Sequence, residues 1–157
     1  NTAGTILASV QISLEDKGIF IDGAALTSCG AGCVARSSHT ATMLPNGKVL
    51  VAGGKNAGGT IESTTQLYDP SANSWTLTNS MSFARYNHTA TLLRNGNVLI
   101  CGGQRDVAAT PAINSDCDQF DLTGTRVVSA SALLAARANH AATLLNDASL
   151  FTLPVAQ

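Results

Sequence analysis

The residues of this chain best suited to chemistry are its three histidines and the arginines three places before them. They fall in Arg36-Ser37-Ser38-His39-Thr40-Ala41-Thr42, in Arg85-Tyr86-Asn87-His88-Thr89-Ala90-Thr91 and in Arg137-Ala138-Asn139-His140-Ala141-Ala142-Thr143. An imidazole can carry a proton near neutral pH or ligate a transition metal, and a guanidinium can grip an anion. Either use would need the three copies to converge on one atom. Their spacing argues against it, because both residue types step by 49 and then 52 positions. Each copy therefore holds the same place in its own structural unit. The expected roles are architectural: each His bonds to backbone within its unit, and each Arg joins neighbouring units by donating to carbonyls.

Other chemistry-bearing groups are weighed the same way. Four cysteines allow three pairings. Cys29 and Cys33 flank the small loop Gly30-Ala31-Gly32, while Cys101 and Cys117 fall on segments expected to be neighbouring strands. Disulfides Cys29–Cys33 and Cys101–Cys117 are expected, and with them an oxidising compartment. A zinc site is the rival, but the spacing lacks two tight Cys-x-x-Cys knuckles. Asp116, Asp118 and Asp121 could offer oxygens to a hard cation; their spacing is not that of an EF-hand, and a solvated strand edge is expected. Asn87-His88-Thr89 is formally a glycosylation sequon, expected to stay unmodified inside its repeat.

The elements that position these groups also repeat. Pro45-Asn46-Gly47-Lys48-Val49-Leu50-Val51-Ala52-Gly53-Gly54 returns as Arg94-Asn95-Gly96-Asn97-Val98-Leu99-Ile100-Cys101-Gly102-Gly103. Asn-Gly between apolar runs predicts a hairpin with a type I′ turn. Tyr68 then matches Phe120, and Trp75 matches Val127. Each copy reads as four short strands: one after the His, one ending in Gly-Gly, one around Tyr or Phe, one around Trp or Val. A period near fifty built this way is the mark of a propeller-type array.

On the Arg-x-x-His-Thr-Ala-Thr starts, Gly53/Gly54, Gly102/Gly103, Tyr68-Asp69-Pro70 and Trp75, the chain resembles the kelch-repeat family, in its bacterial, galactose-oxidase-like branch. The resemblance implies an all-β fold of kelch-like four-stranded antiparallel blades. It covers residues 36–136 well and 137–153 in part. The copper centre of the galactose-oxidase branch uses Tyr and His ligands. Here Tyr68 is the repeat aromatic and Tyr86 adjoins Arg85, so no ligand carries over and neither a cofactor nor an enzyme activity is expected.

The third copy departs from the pattern, with Pro154-Val155 where Gly-Gly would fall. Two and a half repeats are fewer than the roughly four to eight blades of closed propellers, so an incomplete array is expected. Its parts are an N-terminal portion at 1–35 and repeats at 36–84, 85–136 and 137–157, together one folded unit. In the first portion Ile6, Ala8, Val10, Ile12 and Leu14 alternate with mostly polar residues, the period of a half-buried strand. A turn and a second strand at 18–21 follow. These two strands could join the strands of 139–153 in one composite blade.

Only 12 % of residues are charged and the net charge is −1, so no nucleic-acid or anionic-membrane partner is expected. No apolar run reaches the length of a membrane-spanning helix. The chain begins at Asn1-Thr2-Ala3-Gly4 without a signal peptide, which is expected to be a mature end or a truncation point. These features point to an extracellular or cell-surface protein of structural or adhesive type. It would self-associate through unpaired strand edges, as a homo-oligomer or filament. The alternative is a glycan- or protein-binding part of a longer propeller, reading its ligand through Lys55, Asn56 and Thr60 and through Gln104, Arg105 and Asp106.

Overall fold

A computed structural model describes residues 34–107, 110–127 and 132–153. The expected strands at 5–14 and 18–21, the Cys29–Cys33 pairing and Pro154-Val155 lie outside the described residues. Within them the chain is all-β, with fourteen strands and only antiparallel pairs.

After β1 (Arg36–Ser37), the first blade is built from β2 (Thr40–Met43), β3 (Val49–Ala52), β5 (Thr65–Asp69) and β6 (Ser74–Leu77), in that spatial order. The short β4 (Lys55–Asn56) pairs instead with β1. The second blade repeats the scheme with β7 (Thr89–Leu92), β8 (Val98–Cys101), β11 (Cys117–Phe120) and β12 (Arg126–Val127). Where the first copy has a short loop, the second raises a hairpin of β9 (Gln104–Val107) and β10 (Thr110–Ile113). The third copy contributes β13 (Ala141–Leu144) and β14 (Leu150–Leu153). Every strand expected around His, Gly-Gly, Tyr or Phe, and Trp or Val is present, because period-two alternation and turn residues are local signals. Trp75 packs across the sheet on Tyr68, ring centroids 4.9 Å apart.

The turns between the first two strands of each blade are not type I′. Such a turn needs positive φ at both central residues, and here Gly47 (φ 80°) and Gly96 (φ 85°) have it while their Asn neighbours do not. Gly47 N donates to Leu44 O at 2.9 Å and Leu44 N to Lys48 O at 2.8 Å. This is a type I turn closed by a glycine bulge. Asn46 Oδ1 accepts from Lys48 N, tying the turn from inside. In the third copy Ala148 takes the glycine position at φ 70°, where a Cβ costs about 1–2 kcal/mol. Asp147 Oδ1 holds that turn by accepting from Ser149 N and Oγ.

The blades stack face to face. β2 adjoins β7, and β7 adjoins β13. Leu44, Leu50, Ala52, Leu67 and Met81 of the first copy close on Val98, Ile100 and Phe120 of the second. β3 is buried on both faces, Val49 and Val51 as well as Leu50 and Ala52.

Candidate functional site

The repeated Arg, His and Gly-Gly residues form the joints between blades. Gly53 and Gly54 have φ of 63° and 98°, and the next repeat lies hard against them. A Cβ on Gly53 would stand 2.5 Å from Arg85 O and 2.7 Å from His88 Cε1; on Gly102, 2.5 Å from Arg137 O and 2.8 Å from His140 Cε1. Gly54 N donates to Arg85 O, and Gly103 N to Arg137 O, each at 2.8 Å. A second main-chain link runs from Asn87 N to Ser38 O and from Asn139 N to Asn87 O. Ser38, Asn87 and Asn139 all adopt the left-handed conformation (φ 51–55°) that makes this link.

The sequence suggested that each His bonds to backbone within its own blade; His39 does meet the Arg36 backbone, whereas His88 and His140 reach into the preceding blade. His88 Nε2 meets Thr40 Oγ1 of the preceding blade at 2.9 Å, and His140 Nε2 meets Thr89 Oγ1 at 3.1 Å. Sequence reasoning missed these threonines. Their signal was available, since Thr40 and Thr89 follow the His in the first two copies and Ala141 replaces them in the third. The arginines donate to carbonyls as expected, but the guanidinium stays in the blade it opens. Arg36 reaches Gly53 O and Thr64 O. Arg85 reaches Gly102 O at 3.1 Å and Asp116 O at 2.7 Å. Arg137 reaches Thr152 Oγ1. It is the backbone carbonyl of Arg85 and Arg137 that reaches back to the previous blade.

Asp118 is not on a solvated edge. It is buried, pairs with Arg85 at 2.9 Å and with Arg126 at 3.4 Å, and accepts from Ser82 N and Oγ. Asp121 does lie in a turn, accepting from Thr123 N and Thr125 N. Asn87 of the sequon is committed to the inter-blade link through its backbone. Among the described residues no three His, Cys, Asp or Glu side chains are grouped to hold a metal.

Burial pushes the pKa of His88 down to about 3, and the neighbouring Arg85 cation adds to the effect. His39 and His140 shift the same way for the same leading cause. Nδ1 of all three is buried without a hydrogen-bond partner among the described residues, and the backbone near His39 and His88 offsets the effect of burial only in part. The folded pKa of His88 lies below its unfolded value of 6.5. Its contribution is complete above pH 6.5 and is lost as pH falls from there toward 3. At pH 4.5, two units below 6.5, the loss is about 3 kcal/mol for this one group. Urea unfolding at pH 7 and pH 4.5 measures it. His88→Gln should lose most of that pH dependence, and an unchanged slope in this variant would assign the acid sensitivity elsewhere. Asp69, pulled to about 2 by the Ser71 hydroxyl and Lys48, titrates below this window.

The loops expected to bind are ordered against each other. Lys55 Nζ sits 3.8 Å from the centroid of the Tyr86 ring, and the Arg105 guanidinium 4.6 Å from that of Phe83. Tyr86 bridges to Gln104 through backbone bonds in both directions. Asn56 is occupied in its own loop, where Oδ1 accepts from Gly58 N and Thr60 N. Asp106 belongs to β9.

The third blade offers a different kind of site. β14 pairs with β13 on one side and, among the described residues, with no strand on the other. Between the second and third blades lies a cleft of about 290 Å³ lined by Leu99, Cys101, Cys117, Leu133, Leu150 and Thr152. Cys101 and Cys117 are disulfide-bonded there, directly opposite each other in register. Phe151 and Leu153, the counterparts of buried Leu50 and Ala52, are about half exposed, at 47 % and 52 %. Such an arrangement can bind a strand.

A family model described as the kelch motif matches residues 35–82, the first blade with its entry and exit. Comparison with curated proteins gives no match.

Proposed function

We propose that this chain, which carries a kelch motif and folds into blades of that type, is a non-catalytic structural or adhesive protein that assembles with copies of itself. The kelch motif suggests a protein-interaction or binding domain. The observation that carries the finer reading is the edge of β14, which among the described residues pairs only with β13. A strand edge beside exposed Phe151 and Leu153 is a template for pairing with another chain. The Cys101–Cys117 bond supports an oxidising, extracellular setting. No helix of the described residues is long and apolar enough to cross a membrane.

Light scattering on the purified chain, followed by negative-stain microscopy, tests the proposal. Rings or filaments built from multiples of 16.0 kDa are expected. A compact particle of one chain at micromolar concentration would sink it and turn attention to the Lys55–Tyr86 and Arg105–Phe83 loops.

A further inference from the structure

We infer that the loops at the Gly-Gly ends of the first two blades bind an acidic polysaccharide, one whose sugars carry carboxylate or sulfate groups, through Lys55, Arg105, Tyr86 and Phe83. One copy of the chain suffices for this, whether or not copies assemble. Among the described residues, Arg36, Arg94 and Arg137 donate to carbonyls or a hydroxyl, and Lys48, Arg85 and Arg126 pair with Asp69 or Asp118. The side chains of Lys55 and Arg105 have no such partner there. Each lies over an aromatic ring instead, Lys55 over Tyr86 and Arg105 over Phe83. Arg105 Nε is buried without a hydrogen bond. Glu62, the one acidic residue between β3 and β5, is taken by Asn56 Nδ2 at 3.0 Å.

These four side chains belong to one surface. Tyr86 carries Lys55 on its ring and exchanges two main-chain hydrogen bonds with Gln104, at 3.1 and 2.8 Å. Arg105 follows Gln104 in β9 and returns to Phe83, three residues before Tyr86. The row crosses the joint and offers one cation from the first copy and one from the second. A ring beneath a cation fixes its position and lowers the entropy cost of holding it for a ligand. Separate charges in a row suit a polymer with a negative group on successive units. The planar fork of Arg105 can grip a carboxylate or sulfate through two N–H groups. Phe83 is 42 % exposed, which leaves ring surface for the C–H face of a sugar.

A peptide laid as a strand is the weaker fit, because it needs an open strand edge. At Lys55 the ladder is taken from both sides, by Ser37 and by Ile61. At Gln104 it is taken by Ile113 and by Tyr86. What remains for a ligand here is side chains, two cations and two rings.

Isothermal titration calorimetry with polygalacturonate and with dextran sulfate tests this, with dextran as the uncharged control and poly-glutamate as the acidic peptide. Binding of an acidic polysaccharide that weakens as salt is raised is the expected result. Lys55→Gln and Arg105→Gln should each weaken it about fivefold, and together remove it. Lys48→Gln, whose cation already has Asp69, should leave it unchanged. No heat with either acidic polysaccharide, or equal binding of dextran, would overturn the inference. So would a loss in Lys48→Gln as large as in Lys55→Gln, and poly-glutamate bound as tightly would assign the patch to an acidic peptide instead.

Discussion

Replacing Arg85 with methionine is expected to destabilise the protein by about 3–5 kcal/mol, the usual cost of leaving a buried charge without its partner. Arg85 is fully buried and Asp118 nearly so, at 0 % and 3 % side-chain exposure. The guanidinium also satisfies the carbonyls of Gly102 and Asp116. Once it is gone, Asp118 keeps Ser82 and the half-exposed Arg126, and two carbonyls lose their donor. Urea denaturation of Arg85→Met, Asp118→Asn and the double variant gives the coupling directly. The double variant should lose clearly less than the two single losses added together. Simple additivity would mean that the pair does not act as a unit. Arg36 meets Thr64 where Arg85 meets a carboxylate, and Arg137 is only half-buried. Arg36→Met and Arg137→Met should therefore each cost less than Arg85→Met.

The second large effect is expected at a residue with no side chain. Gly53→Ala should cost about 2–5 kcal/mol. Left-handed backbone accounts for about 1–2 kcal/mol of that, and forcing a methyl into a packed joint adds about 1–3 kcal/mol. The methyl would meet the Arg85 carbonyl at 2.5 Å and the His88 ring at 2.7 Å, so the second blade must move off the first. Gly47→Ala is the control. Gly47 has an equally positive φ of 80° but nothing within 4 Å of the added Cβ, so only the backbone term applies. Equal losses in the two variants, read from urea midpoints, would remove the joint from the explanation.

The repeat period, the four strands of a blade and the hairpins were legible in the sequence because they rest on local signals. Alternating apolar residues set each strand, and Asn-Gly set the reversal in the first two copies. Cys101 and Cys117 are brought opposite each other by the same hairpin logic, since the strands that carry them are neighbours in the blade. Even the turns were partly local: the glycine was right, but the turn type depended on Asn46 and Asn95 keeping negative φ.

What the sequence left open were partners that lie about one repeat apart. His88 reaches Thr40 across 48 positions, and His140 reaches Thr89 across 51. Asp118 was read as solvated because adjacent acidic residues usually face water. Its burial follows from Arg85, 33 positions earlier, arriving from the preceding connection. Gly-Gly marked the end of a strand in the sequence, and only the fold showed that the carbonyl of the next arginine fills the space where a Cβ would be. These outcomes depend on how one blade is rotated onto the next. That rotation is set by the summed packing of Leu50, Met81, Val98, Ile100 and Phe120. No short window of sequence contains it. A repeat states its own unit locally, whereas the joint between units is a property of the assembled core.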